Sequence, residues 1–160
     1  MPGSFHCLPE VYKIVQGYVG QGTTAQVSAD CVSLKNAQMA WIVVNLDTTA
    51  SSACALVPMR ATDVAKTGGA VLANAVPIWV NANVAATDTL VAATAAVNYT
   101  TVADASYKQV IFQIDPALVG GSNDCIYITL GALAATEAMS VEYWLETRYP
   151  QATPPAAITD

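Results

Sequence analysis

The sequence is poor in charge. Asp, Glu, Lys and Arg make up only 11 % of its 160 residues, against about 25 % in an ordinary soluble chain. Basic residues are scarcer still: 6 against 12 acidic ones, for a net charge of −6. Gripping nucleic-acid phosphates needs clustered Lys and Arg, so a nucleic-acid partner is not expected. There is one histidine, His6, which leaves little for general acid–base work or for a Ser-His-Asp triad, and no GxSxG elbow is present. Long apolar runs are also missing. The longest uninterrupted one is residues 39–44, far short of the roughly 20 residues a spanning helix needs. No membrane partner is expected. Residues 1–10 lack a basic segment followed by an apolar one, so no signal peptide is expected and the chain is placed in a reducing cytoplasm.

The four cysteines, Cys7, Cys31, Cys54 and Cys125, form no CxxC pair. In a reducing compartment they are expected as small buried hydrophobes. A zinc site needs ligands at short spacings, and only the neighbours His6 and Cys7 come close. Asp63, Asp88 and Asp104 are too scattered for a calcium loop. The glycines of residues 17–22 lack dinucleotide-binding spacing and read as a turn. No cofactor or metal is expected. Glu137, Glu142 and Glu146 lie near the last strand; Glu142 and Glu146 share one face there and mark a solvated side.

What is abundant is apolar residues, at 54 %, distributed as strands. Short Val-, Ile-, Thr- and Tyr-rich runs alternate with Gly, Asn, Asp and Pro. Strands are predicted at 12–16, 25–33, 39–46, 53–60, 76–80, 108–115, 125–130 and 139–148, with loop and strand at 81–96. Residues 39–46 are almost all apolar, which reads as a strand covered on both faces, with Trp41 in the core. Core is also the expectation for Trp79 and Trp144, with facing a partner the alternative for Trp144, which is out of phase with Val141, Tyr143 and Leu145. Pro58 predicts an edge or a bulge for its strand. In 108–115, Val110, Phe112 and Ile114 point one way. Asp115 caps a single helical turn at Pro116, and 120–124 is a turn. The fold class predicted is all-β: one antiparallel β-sandwich domain, jelly-roll-like, spanning 1–160. Extended arms are predicted at 1–10 and, with its prolines, at 149–160. So little charge on a chain with no membrane span points to a surface buried against partners.

Several segments carry a family resemblance. Val32-Ser33-Leu34-Lys35-Asn36 leads into the apolar strand AWIVVNL. Residues 61–68 read ATDVAKTG. The strand QVIFQID is followed by PALV, and the chain closes on RYPQATPP with Ile158 and Asp160. In this order, from about Leu8 to Asp160, the chain resembles a family of small proteins encoded in tailed-phage structural gene clusters, of the capsid decoration or cement type. The resemblance implies a non-enzymatic virion protein on the capsid surface, assembled in the host cytoplasm. It also implies contact with the major capsid protein and with further copies of itself, as a trimer. The arms and the out-of-phase tryptophan supply the expected partner-interface residues: His6, Leu8, Trp144, Arg148, Tyr149, Pro150, Pro154 and Pro155. The competing expectation is a tail- or fibre-associated β-sandwich that binds a host-surface glycan.

Overall fold

Twelve strands, a short helix and one 3₁₀ turn make up residues 8–149, the part of the chain that the computed structural model describes. In chain order they are α1 (Leu8–Val11), β1 (Tyr12–Gln21), β2 (Val27–Ser28), β3 (Val32–Ser33), β4 (Ala37–Asp47), β5 (Ala55–Ala61) and β6 (Ala70–Val71). There follow β7 (Val76–Asn81), β8 (Val91–Ala96), β9 (Tyr99–Thr100), β10 (Tyr107–Ile114), the 3₁₀ turn Pro116–Leu118, β11 (Cys125–Leu130) and β12 (Ala138–Thr147). His6, Pro150, Pro154 and Pro155 lie outside the described residues. No helix among the described residues is long and apolar enough to cross a membrane.

The strands form two antiparallel sheets, packed as a sandwich. One has the order β1-β12-β4-β10-β7-β8; the other runs β2-β11-β5-β6, with β3 also on β11 and β9 on β5. The pairings nest: the first strand pairs with the last, β2 and β3 with β11, β4 with β10, and β5 with β6. The chain is thus a long antiparallel hairpin folded over on itself, with the β7–β8 hairpin added beside β10.

Period-2 alternation decides which side chains enter the core. In β4 the buried set is Ala40, Ile42, Val44 and Leu46; in β10 it is Val110, Phe112 and Ile114; in β12 it is Met139, Val141, Tyr143 and Leu145. They meet Leu56, Ile126, Ile128 and Leu130 from the second sheet. A smaller apolar cluster, Cys31, Ala61, Cys125 and Tyr127, packs with Met59 and Val64. Cys31, Cys54 and Cys125 are buried free thiols, as the sequence predicts; Cys7 lies outside the described residues.

Two local features are explained by single residues. Pro58 sits inside β5, yet breaks no ladder. Its carbonyl accepts from the Leu72 amide on the side away from β11, so its nitrogen faces that side too, between the short partners β6 and β9. The edge predicted for Pro58 is therefore a gap in edge pairing. Asp115 caps the 3₁₀ turn as expected, accepting from the Ala117 amide at 2.8 Å. The turn at 120–124 uses left-handed glycines, with φ of +88° at Gly120 and +64° at Gly121.

Three expectations are corrected. Residues 17–22 are not a turn: β1 runs on through Gln21, with a bulge between Gln16 and Tyr18. The extra residue is Gly17, whose missing side chain leaves room for the Tyr143 ring. The bulge returns Tyr18 to the core side beside Val15, a one-residue register change that exposes Val19. Leu8 to Glu10, placed in an extended arm, instead belong to α1. Residues 39–46 are covered on one face only, because Trp41 and Val43 point to the outer side.

Candidate partner-binding face

The outer face of the six-stranded sheet is built by the residues that alternate with the core. Register places them in rows across the strands. One row is Ile14, Trp144, Trp41 and Gln113; the next is Gln16, Glu142, Val43, Ile111 and Trp79. A third is polar, with Ser140, Asn45 and Gln109, and Gln109 Nε2 donates to Asn45 Oδ1 at 3.0 Å. An exposed sheet face normally carries polar side chains. Here the first two rows hold three tryptophans and two β-branched residues from the middle of the sheet.

Trp41 and Trp144 gather around Tyr12. Its ring lies 6.0 Å from Trp41, tilted by 51°, and 6.4 Å from Trp144, edge-on at 62°. Both separations fall in the range of favourable aromatic pairs. The Trp144 indole N–H donates to Glu142 Oε2 at 3.2 Å, along the same face. Leu8 of α1 closes one end. Together with Val43, Gln109 and Ile111 these residues line an open, mostly apolar groove of about 430 Å³. A second depression, of about 650 Å³, lies at the far end of the face under Val19, Val84 and Tyr107. All three are exposed, Val19 at 69 % and Tyr107 at 51 %.

Glu142 and Glu146 share this face, as predicted, with Asp47 farther along it. The rows from Tyr12 to Tyr107 contain these three carboxylates and no Lys or Arg. The face is therefore apolar at its centre and acidic around it.

Of the expected interface residues, Leu8 and Trp144 meet in the groove. Arg148 and Tyr149 do not: they lie at the end of the sheet, in a shallow depression with Ala37, Gln38, Asp115, Pro116 and Ala117. Core placement is corrected for all three tryptophans. Trp79 is 40 % exposed, and Trp41 and Trp144 are half-buried groove residues. The cause is phase: each lies one position from a buried neighbour, Ile42, Ile78 or Tyr143. Tyr12, Val43 and Ile111 were not among the expected interface residues. For Ile111 the alternation of 108–115 already carried the signal.

Two buried charges, by contrast, serve the fold. Lys108 is in phase with Val110 and faces inward; its Nζ donates to Thr48 Oγ1 and to the Asp104 carbonyl at 3.1 Å, and pairs with the Asp104 carboxylate at 2.5 Å. Glu137 is wholly buried and gathers backbone amides from two loops. No protein-family model, curated protein or solved structure matches the chain.

Proposed function

We propose that this chain is a non-enzymatic structural protein of a tailed-phage virion, a capsid decoration or cement protein that holds neighbouring major capsid proteins together on the head exterior. The observation that carries the reading is the outer face of the six-stranded sheet. A folded domain has no energetic reason to place Trp41, Trp144, Val43 and Ile111 together on an open face unless something covers them. Trp and Tyr are the side chains that dominate protein–protein contacts. The nested strand pairing supports a jelly-roll reading, a fold that recurs in viral capsid and lectin domains. The low charge of the chain fits a protein with much of its surface buried in an assembly. Repetition over many symmetric copies makes individually modest contacts collectively strong.

The test is the copy number of this chain in purified virions, relative to the major capsid protein. A ratio near parity is expected. A few copies per particle would transfer the protein to the tail or a fibre. Absence from virions would overturn the reading. The groove aromatics favour one second reading, because flat Trp and Tyr rings also stack on sugar faces: a tail- or fibre-borne module that binds a host-surface glycan. Binding of the intact chain to a host glycan, lost in Trp144→Ala, together with low copy number, would select it.

A further inference from the structure

We propose that the partner covering this face is a different protein whose contact surface carries arginine, with one guanidinium seated over the Trp41–Trp144 groove between Glu142 and Glu146. The inference deepens the docking reading of the same face and rests on it. Glu142, Trp144 and Glu146 alternate along the outer side of β12. In register, Glu146 stands opposite Tyr12 and Glu142 opposite Val43, so each carboxylate borders the groove. Both are half-buried, and neither pairs with a cation of the described residues. Glu142 uses one oxygen, Oε2, to accept from the Trp144 indole N–H. A carboxylate beside aromatic rings and without a counter-ion suits a planar cation. Guanidinium stacks on such rings and donates its N–H groups to carboxylates at the same time.

Charge decides against other occupants. Two identical faces would bring Asp47, Glu142 and Glu146 of each copy into one contact that holds no cation, which like-charge repulsion opposes. Nor does the rest of a second copy offer a basic patch. Of its 6 Lys and Arg, Lys108 is buried, Lys35 pairs with Asp124, Lys66 lies 5.3 Å over the Tyr127 ring, and Arg60 donates to the Val119 carbonyl. Lys13 is in register with the core residue Leu145, and Arg148 lies at the end of the sheet. Nucleic acid and anionic lipid share the sign of the face. Size fits a protein partner. The long strands β1, β12, β4 and β10 cover about 19 Å by about 34 Å. With an equal area on the partner that is about 1,300 Å², inside the range of about 1,200–2,000 Å² for specific interfaces.

The test titrates the full, isotopically labelled chain with N-acetyl-arginine amide, and with its citrulline analogue, which keeps the shape and lacks the charge. The indole N–H signals of the tryptophans are followed separately by NMR. Trp79, three strands from Glu142 in the same row, is the internal control. Expected are shifts of Trp41 and Trp144 with arginine and not with citrulline, while Trp79 stays. Glu142→Gln with Glu146→Gln keeps an oxygen for the Trp144 indole and should weaken the response roughly tenfold, the scale of lost charge-assisted bonds. An equal response to citrulline, an equal shift of Trp79, or no response would overturn the proposal. Particles prepared without this chain test the docking reading separately. Their occupancy should fall as salt rises, and in the double variant. Occupancy near parity that ignores both removes the arginine partner and leaves the cement reading standing. An arginine-selective response in a protein that particles never take up does the reverse.

Discussion

At the scale of single residues, the strongest constraints are buried polar groups that the sequence hardly announces. Glu137 Oε1 accepts from the amides of Ala50 and Ser52 at 3.1 and 3.2 Å, and Oε2 from Ala134 at 2.9 Å. One carboxylate thus ties the loop after β4 to the loop before β12. Burial pushes its pKa up, but hydrogen bonds from the Ser52 side chain and from the Ala134, Ser52 and Ala50 amides outweigh that and hold it below the ordinary 4.5. A carboxyl lowered by folding stabilises the fold above its unfolded pKa, and that contribution is lost as pH falls through the folded value. Urea unfolding of Glu137→Gln should show a loss of about 2–3 kcal/mol at pH 7, from orphaned amides and weakened bonds. The gap to the parent should narrow well below pH 4.5, and a gap independent of pH would remove the carboxylate from this role. Burial also raises the thiols, Cys31 and Cys54 to about 11 and Cys125 to about 12. At pH 8 all three are protonated and therefore poor nucleophiles. Peptide mapping after iodoacetamide should find them unmodified in the folded protein and modified in denaturant. Rapid labelling of any one in the native state would contradict its burial.

At the scale of elements, β4 separates what pattern can reveal from what it cannot. An apolar run says that a strand is present, not that both its faces are covered. Val43 and Val44 are chemically identical neighbours with opposite fates, groove floor and core. Val44→Ala should cost about 2–3 kcal/mol through lost burial and a cavity, whereas Val43→Ala should cost less than about 1 kcal/mol. Equal losses in chemical denaturation would show the face assignment to be wrong. The 108–115 strand was legible because its polar residues, Gln109 and Gln113, mark the phase. β1 was not, because Gly17 and Gly20 look like turn residues. Gly17 is instead the bulge that admits Tyr143, whose hydroxyl donates to the Asp30 carbonyl at 2.8 Å and so anchors the ring. A methyl at position 17 meets that immobile ring. Gly17→Ala should therefore destabilise by about 2–3 kcal/mol through overpacking. Gly121→Ala, at a left-handed turn residue, should cost only about 1 kcal/mol, from backbone conformation alone. A thermal melt in which Gly17→Ala matches the parent would mean that β12 can shift to absorb the methyl.

At the scale of the whole molecule, composition and architecture point to the same surface by independent routes. The missing charge leads to the expectation that some surface is covered; the alternation in β4, β10 and β12 gives the outer face its exposed apolar side chains and makes it the candidate. Sequence alone could not join them, because Tyr12, Trp41 and Trp144 lie on three strands whose adjacency follows from the nested pairing. The sandwich was readable from local signals, since turn residues and period-2 runs are local. The groove is a product of long-range register and was not. Leu8 and Trp144 were reached through an arm boundary and a phase mismatch, and only folding puts them together. The consequence is a separation of stability from assembly. Because Trp41 and Trp144 contribute their outer surfaces to the groove, Trp41→Ser with Trp144→Ser should lower stability by only about 1–3 kcal/mol, as for partly buried aromatics. The same pair, as the centre of a docking face, should reduce occupancy on particles by a factor of roughly 100 or more. Lys108→Met should do the opposite, destabilising the isolated domain by taking a buried donor from Thr48 Oγ1 and the Asp104 carbonyl, and the cation from the exposed Asp104 carboxylate. Where it still folds, it should occupy particles normally. Measuring both variants for melting temperature and for copies bound per particle separates the two roles. If occupancy simply followed stability across the two, the outer face would be an ordinary surface and the docking role would fall to another part of the molecule.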